Sequence, residues 1–199
     1  KISDVSFRQV DIDNGFWHMR QNLNREKTIY AVHDRFKETG RFDAFRCDWK
    51  EGMPYKPHLF WDSDVAKWIE SVAYILEKED MPELEKLVDE LVDETERNQE
   101  ANGYFNIWFL TVDKAHRFSD RDAHELYCAG HLIEAAVAYA QATGKNKFLD
   151  LMKKYVDYIE LRFKKLKDTG FSTPGHEEIE LSLMRLYRYT GEKRYLELS

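Results

Sequence analysis

Two histidine–glutamate pairs and one carboxylate pair are the residues of this sequence best suited to chemistry. His124-Glu125 and His176-Glu177-Glu178 each open a stretch of helical periodicity, and Asp62-Ser63-Asp64 stands at the equivalent place before a third. A helix N-terminus presents unpaired backbone N–H groups and the positive end of the helix dipole. An imidazole placed there is favoured as the neutral ring, which both donates and accepts hydrogen bonds. Neutral imidazoles and carboxylates, flanked by aromatic side chains such as Phe60, Trp61, Tyr104 and Trp108, suit a polyhydroxylated ligand such as a sugar. The competing reading is that Glu125, Glu177 and Glu178 only complement the helix dipole and that the histidines make local hydrogen bonds. Recurrence at three helix starts favours the ligand reading.

His124, Cys128 and His131 share a helix face, at intervals of four and three residues. This is not the metalloprotease pattern, in which the second histidine follows the first by four. Three ligands also fall short of a closed zinc set. Packing with local hydrogen bonds is the expectation for Cys128 and His131.

These residues need helices to hold them. Helices are predicted at about 20–39, 63–79, 82–99, 122–142, 145–167, 176–189 and from about 192 to the end, with Ser63 as the cap of the second. Leu84, Leu87, Val88, Leu91, Val92 and Thr95 form one apolar face, whereas the 122–142 stretch is apolar nearly all round. Such alternation fits two layers of helices, one buried and one amphipathic. Residues 143–151 and 190–198 repeat a Thr-Gly turn and the helix start after it at a spacing of 47, as stacked helical hairpins do. Tight turns near 80, 144 and 191 alternate with long connections at about 40–62, 100–121 and 168–175. The long ones therefore gather at one end, which is the expected working end. Residues 5–12 alternate apolar and polar like a strand, and 103–109 reads as an extended segment crossing the loop end.

The 199 residues carry a net charge of −7 and are 43% hydrophobic, an ordinary composition for a folded domain. No basic stripe is present to neutralise phosphates, so neither nucleic acid nor an anionic membrane is an expected partner. No apolar run approaches the ~20 residues that span a bilayer. Two cysteines, Cys47 and Cys128, give no disulfide framework, so a reducing, cytoplasmic location is expected. The chain opens at Lys1, which leaves room for a trimmed leader.

Residues 121–135, from Arg121-Asp122-Ala123-His124-Glu125-Leu126-Tyr127 to Ala135, resemble the hallmark stretch of the β-L-arabinofuranosidases of glycoside hydrolase family 127. Phe60-Trp61-Asp62-Ser63-Asp64, Asn102-Gly103-Tyr104-Phe105 and Pro174-Gly175-His176-Glu177-Glu178 are similar to it as well. The resemblance implies an all-α fold of helical hairpins: the first half of an (α/α)6 toroid over 16–199, preceded by a short N-terminal strand within 1–15 that pairs with β-sandwich domains elsewhere. It implies retaining hydrolysis of β-L-arabinofuranosides through a zinc-bound cysteine, with the nucleophile, acid/base and zinc ligands all outside these residues. Neither Cys47 nor Cys128 matches that nucleophile. Phe60, Asp62, His124 and His176 match residues at the sugar, whereas Val32 stands where many members have glutamine. The expected partners are a carbohydrate substrate and the remainder of the same protein, or a second copy covering the open inner faces. From another class, a helical-repeat module binding a peptide on its concave face also fits the repeat.

Overall fold

The computed structural model describes residues 5–199, so residues 1–4 of the N-terminal segment lie outside the described residues. Helix α1 (Gly15–Leu23) runs through a single wider π turn at Asn24–Thr28 into α2 (Ile29–Glu38), making one long rod. There follow α3 (Trp61–Leu76), α4 (Pro82–Asn98), the short α5 (Ile107–Thr111), α6 (Glu125–Thr143), α7 (Lys147–Glu160), α8 (Glu178–Thr190) and α9 (Lys193–Leu198). The described residues contain no strand.

The helices lie in two rows. α3, α6 and α8 pack side by side, and α4, α7 and α9 back onto them. Position in the row follows from composition. α6 is buried on nearly every side, from Leu126 and Cys128 through Leu132, Ile133 and Val137 to Ala140. α4 buries only Leu84, Val88, Leu91, Val92 and Thr95, with Leu87 half-buried beside them. Val65, Ile69 and Val72 of α3 and Leu132, Ile133 and Val137 of α6 are at most 1% exposed. Each such side chain stabilises the fold by roughly 1.5–3 kcal/mol. Gly144 and Gly191 end α6 and α8 at φ +76°, the left-handed cap that spares a Cβ clash, so both tight turns reverse the chain within a few residues. The long connections 39–60, 99–124 and 167–177 all fall at the opposite end.

Three local expectations are corrected. Residues 5–12 are not a strand: Phe7–Gln9 is a 3-10 turn that Ser6 caps. A strand needs a partner, and here the Lys78 ammonium takes the carbonyls of Arg8 and Val10, each at 3.0 Å. Ser63 is not the cap of α3. The helix starts at Trp61, and Ser63 Oγ donates back to the Phe60 carbonyl at 2.9 Å. The segment 103–109 is extended only at its start, because the Asn106 side chain accepts the Phe109 N–H at 3.1 Å and so nucleates α5. Its aromatics pack instead of lining a cleft: Tyr104, Phe105 and Phe109 are buried and Trp108 is partly buried.

Candidate functional site

The starts of α3, α6 and α8 converge at the long-loop end. His124 occupies the cap position of α6 with a left-handed backbone, φ +63°. Histidine visits this region more readily than bulky residues do, yet the conformation stores strain. His176 lies two residues before α8, exposed. The two rings meet with Nε2 3.1 Å from Nε2. At that distance one ring donates and the other accepts, the tautomers deciding which. The His124 Nδ1 is buried without a partner. Phe60, just ahead of α3, sets its ring 4.5 Å from that of His124, and His58 stacks on Phe60 at 5.4 Å. Three of the four expected site residues, Phe60, His124 and His176, thus form one contiguous patch.

The fourth does not reach that surface. Asp62 is fully buried, and its Oδ1 accepts the Ile107 N–H at 2.9 Å while Oδ2 has no partner. Burial pushes its carboxyl up to about 7, against the pull of the Ile107 amide. Glu125 is a second buried carboxyl, holding the Tyr104 hydroxyl at 2.6 Å and the Phe118 N–H, and burial likewise raises it to about 7. Both side chains therefore work from beneath. Asp62 anchors α5 and Glu125 anchors the 100–121 loop to the start of α6, so they position His124 from below.

Tyr127 was not singled out by sequence, yet it is the hub of the aromatic cluster. Its ring lies 4.6 Å from His131, 5.1 Å from His176, 5.9 Å from His124 and 6.1 Å from Phe60. The available signal was its spacing, three residues after His124 and four before His131, on one face of α6.

The zinc implied by the resemblance does not fit the residues present. Among the described residues no three His, Cys, Asp or Glu side chains converge on a metal position. Cys128 is buried and donates its S–H to the Leu59 carbonyl at 3.2 Å, and burial, reinforced by Asp62, drives its thiol well above the ordinary range. Burial raises Cys47 too. Burial thus disfavours the thiolate form of both.

Comparison with known proteins accords with this arrangement. The model of the β-L-arabinofuranosidase GH127 catalytic domain matches residues 9–199. A non-reducing end β-L-arabinofuranosidase of Bifidobacterium longum is 42% identical over 146 residues, which cover 71% of this chain and 22% of that protein. The solved structure of Ara127N-Se, a GH127 β-L-arabinofuranosidase from Geobacillus stearothermophilus T6, superposes with a TM-score of 0.85 at 40% identity, covering 96% of this chain and 31% of the other. The GH127 β-arabinofuranosidase BT3674 gives the same TM-score at 32% identity, covering 96% and 32%. The chain thus spans under a third of the length of these relatives. With the family model matching nearly its whole length, the chain belongs to the GH127 β-L-arabinofuranosidase catalytic-domain family.

Proposed function

We propose that this chain supplies part of the sugar-binding wall of a retaining glycoside hydrolase acting on β-L-arabinofuranosides or a related sugar, as the first half of an (α/α)6 toroid. The observation that carries the reading is the His124–His176 contact at 3.1 Å, flanked by the Phe60 ring. Two imidazoles in hydrogen-bond contact can part to admit a sugar hydroxyl, one donating to its oxygen and the other accepting its hydrogen. Phe60 offers an apolar edge to the sugar's C–H groups. Asp62 and Glu125 keep the wall in place without touching the ligand.

The reaction itself needs groups that these residues do not supply. Burial raises both thiols, which disfavours either as a nucleophile. We infer that the nucleophile, the acid/base and the zinc site come from the rest of a longer polypeptide, in keeping with relatives about three times this length. A groove of about 920 Å³ between the α1–α2 rod and α3, lined by Ile12, Ile29, Val32, Trp68 and Ile75, is one place where such a remainder, or a second copy, would pack. The cytoplasm is the location we propose, from two cysteines that are both free thiols.

The test is turnover and binding by the purified chain. The 199 residues alone are expected to leave a nitrophenyl β-L-arabinofuranoside intact while binding L-arabinose weakly, and His124→Ala is expected to abolish that binding at unchanged melting temperature. Turnover by the chain alone would refute the division of labour, and unaltered binding by His124→Ala would refute the sugar wall.

A further inference from the structure

The histidine pair is the top of a deeper polar wall. One tier below it stand Lys67 on α3, Tyr127 and His131 on α6, and Glu178 on α8. A tier further down stand Glu70 and Tyr74 on α3, Glu134 on α6 and Arg185 on α8. The lower tier is tied together by Arg185, which donates to Glu70 at 2.5 Å, to Glu134, and to Tyr74 Oη at 2.8 Å, while Tyr74 donates to Glu70 at 2.8 Å. Its charges face one another, and it forms a floor.

The middle tier differs because part of its hydrogen-bonding capacity is unused. The Lys67 ammonium donates to Tyr127 Oη at 2.8 Å and sits 4.9 Å from the ring centre. Since the ammonium already donates to that oxygen, the phenol's own proton must point elsewhere. Among the described residues no acceptor takes it. Glu178 Oε1 lies 3.2 Å from His131 Nδ1 and is buried without a hydrogen bond. Gly130 opens the space for Glu178. A Cβ there would come within 2.6 Å of Glu178 Cγ and 3.0 Å of its carbonyl. His131 is neutral, pushed down to about 4 by burial and by Lys67. Glu178 is pushed up to about 7 by burial and by the Glu134 and Glu70 carboxylates, with Lys67 and Arg185 pulling the other way.

We propose that Lys67, Tyr127 and Glu178 form a second hydrogen-bonding tier that takes the hydroxyls of a neutral sugar one turn below the histidine pair. This rests on reading that pair as a sugar rim. A hydroxyl accepts from Tyr127 or Lys67 and donates to Glu178, which neither an anion nor an amine does. A carboxylate would meet Glu178, and an ammonium would meet Lys67. The tier therefore selects uncharged polyols such as pentoses over uronates or amino sugars.

The experiment is calorimetric or NMR titration of the 199-residue chain with L-arabinose, with galacturonate as the charged comparison. Tyr127→Phe keeps the ring and removes the unpaired proton, and Glu178→Gln keeps the shape and removes the carboxylate. Each is expected to weaken L-arabinose binding about three- to tenfold, the range for one lost hydrogen bond. The melting temperature should be unchanged in Tyr127→Phe and not lowered in Glu178→Gln, which removes a carboxyl that burial raises, and galacturonate is expected not to saturate. If both variants bind as the unaltered chain does while His124→Ala binds nothing, the second tier falls and the rim reading stands. If His124→Ala binds normally, or the unaltered chain shows no saturable binding, the rim reading falls and the tier with it.

Discussion

Replacing Asp62 by asparagine separates a buried positioning carboxyl from an ordinary helix-start carboxylate. Burial moves this group from 3.8 to about 7. An unfolded chain releases the Asp62 proton near pH 4, whereas the folded chain holds it until about 7. Between those values the folded state binds the extra proton, so stability falls as pH rises and the whole penalty is present above pH 7. At about 1.4 kcal/mol per pH step, the gap amounts to a penalty on the order of 4 kcal/mol. Asparagine keeps the oxygen that accepts the Ile107 N–H and cannot ionise. The stability of Asp62→Asn relative to the unaltered chain is therefore expected to climb by about 3 kcal/mol between pH 5 and pH 8. The measurement is urea unfolding followed by tryptophan fluorescence at pH 5, 6, 7 and 8. Glu125 and Glu178, raised for the same reason, remain in both proteins and cancel in the difference. A difference that stays constant across that range would refute the reasoning, because it would mean that Asp62 ionises in the fold at no cost.

Three further outcomes follow from the same packing. Gly130→Ala sets a methyl 2.6 Å from Glu178 Cγ and 3.0 Å from its backbone, so the start of α8 must retreat. A loss of about 1–3 kcal/mol on urea unfolding is expected, together with weaker L-arabinose binding as His176 moves off His124. Tyr104→Phe removes the hydroxyl that Glu125 accepts at 2.6 Å. About 2 kcal/mol should be lost, and hydrogen exchange at the Phe118 amide, held by the same carboxyl, should accelerate. Arg185→Met leaves Glu134 without its cation and Glu70 with only the Tyr74 hydroxyl, and is expected to cost ~2 kcal/mol at pH 7. Burial already raises the Glu134 carboxyl, so that cost should shrink as the pH falls and Glu134 takes up a proton, and pH-dependent thermal melts read it directly.

How much of this was legible in the chain depends on how local each signal is. The glycine-capped turns at 144 and 191, the apolar face of α4 and the wholly apolar α6 are written within a few residues, and they appear where the pattern predicts. The strand expected at 5–12 failed because alternation records only a half-apolar segment. Whether a strand forms depends on a distant partner, and here Lys78, some 70 residues on, takes the carbonyls instead. The burial of Asp62 was hidden for a related reason. With Ser63 as the cap, Asp62 would precede the helix and face the rim, but the helix starts at Trp61 and carries Asp62 into the core. Two residues of register decide between a ligand contact and a buried anchor.

The site also contains information that no single segment holds. The interval of three and four residues from His124 through Tyr127 to His131 places them on one face of α6, but it does not say what that face meets. Its partners, Phe60 and Lys67 on α3 and His176 and Glu178 on α8, are brought in by the packing of the inner row. Gly130 is the residue that sets how closely α8 approaches, since a side chain there would displace Glu178 and, two residues earlier, His176. A glycine in the middle of a buried helix costs about 1 kcal/mol of helix propensity relative to alanine. Here that sacrifice has an identifiable return, a 3.1 Å contact between two imidazoles carried by different helices. The chemistry of the wall thus depends on a residue that takes no part in it.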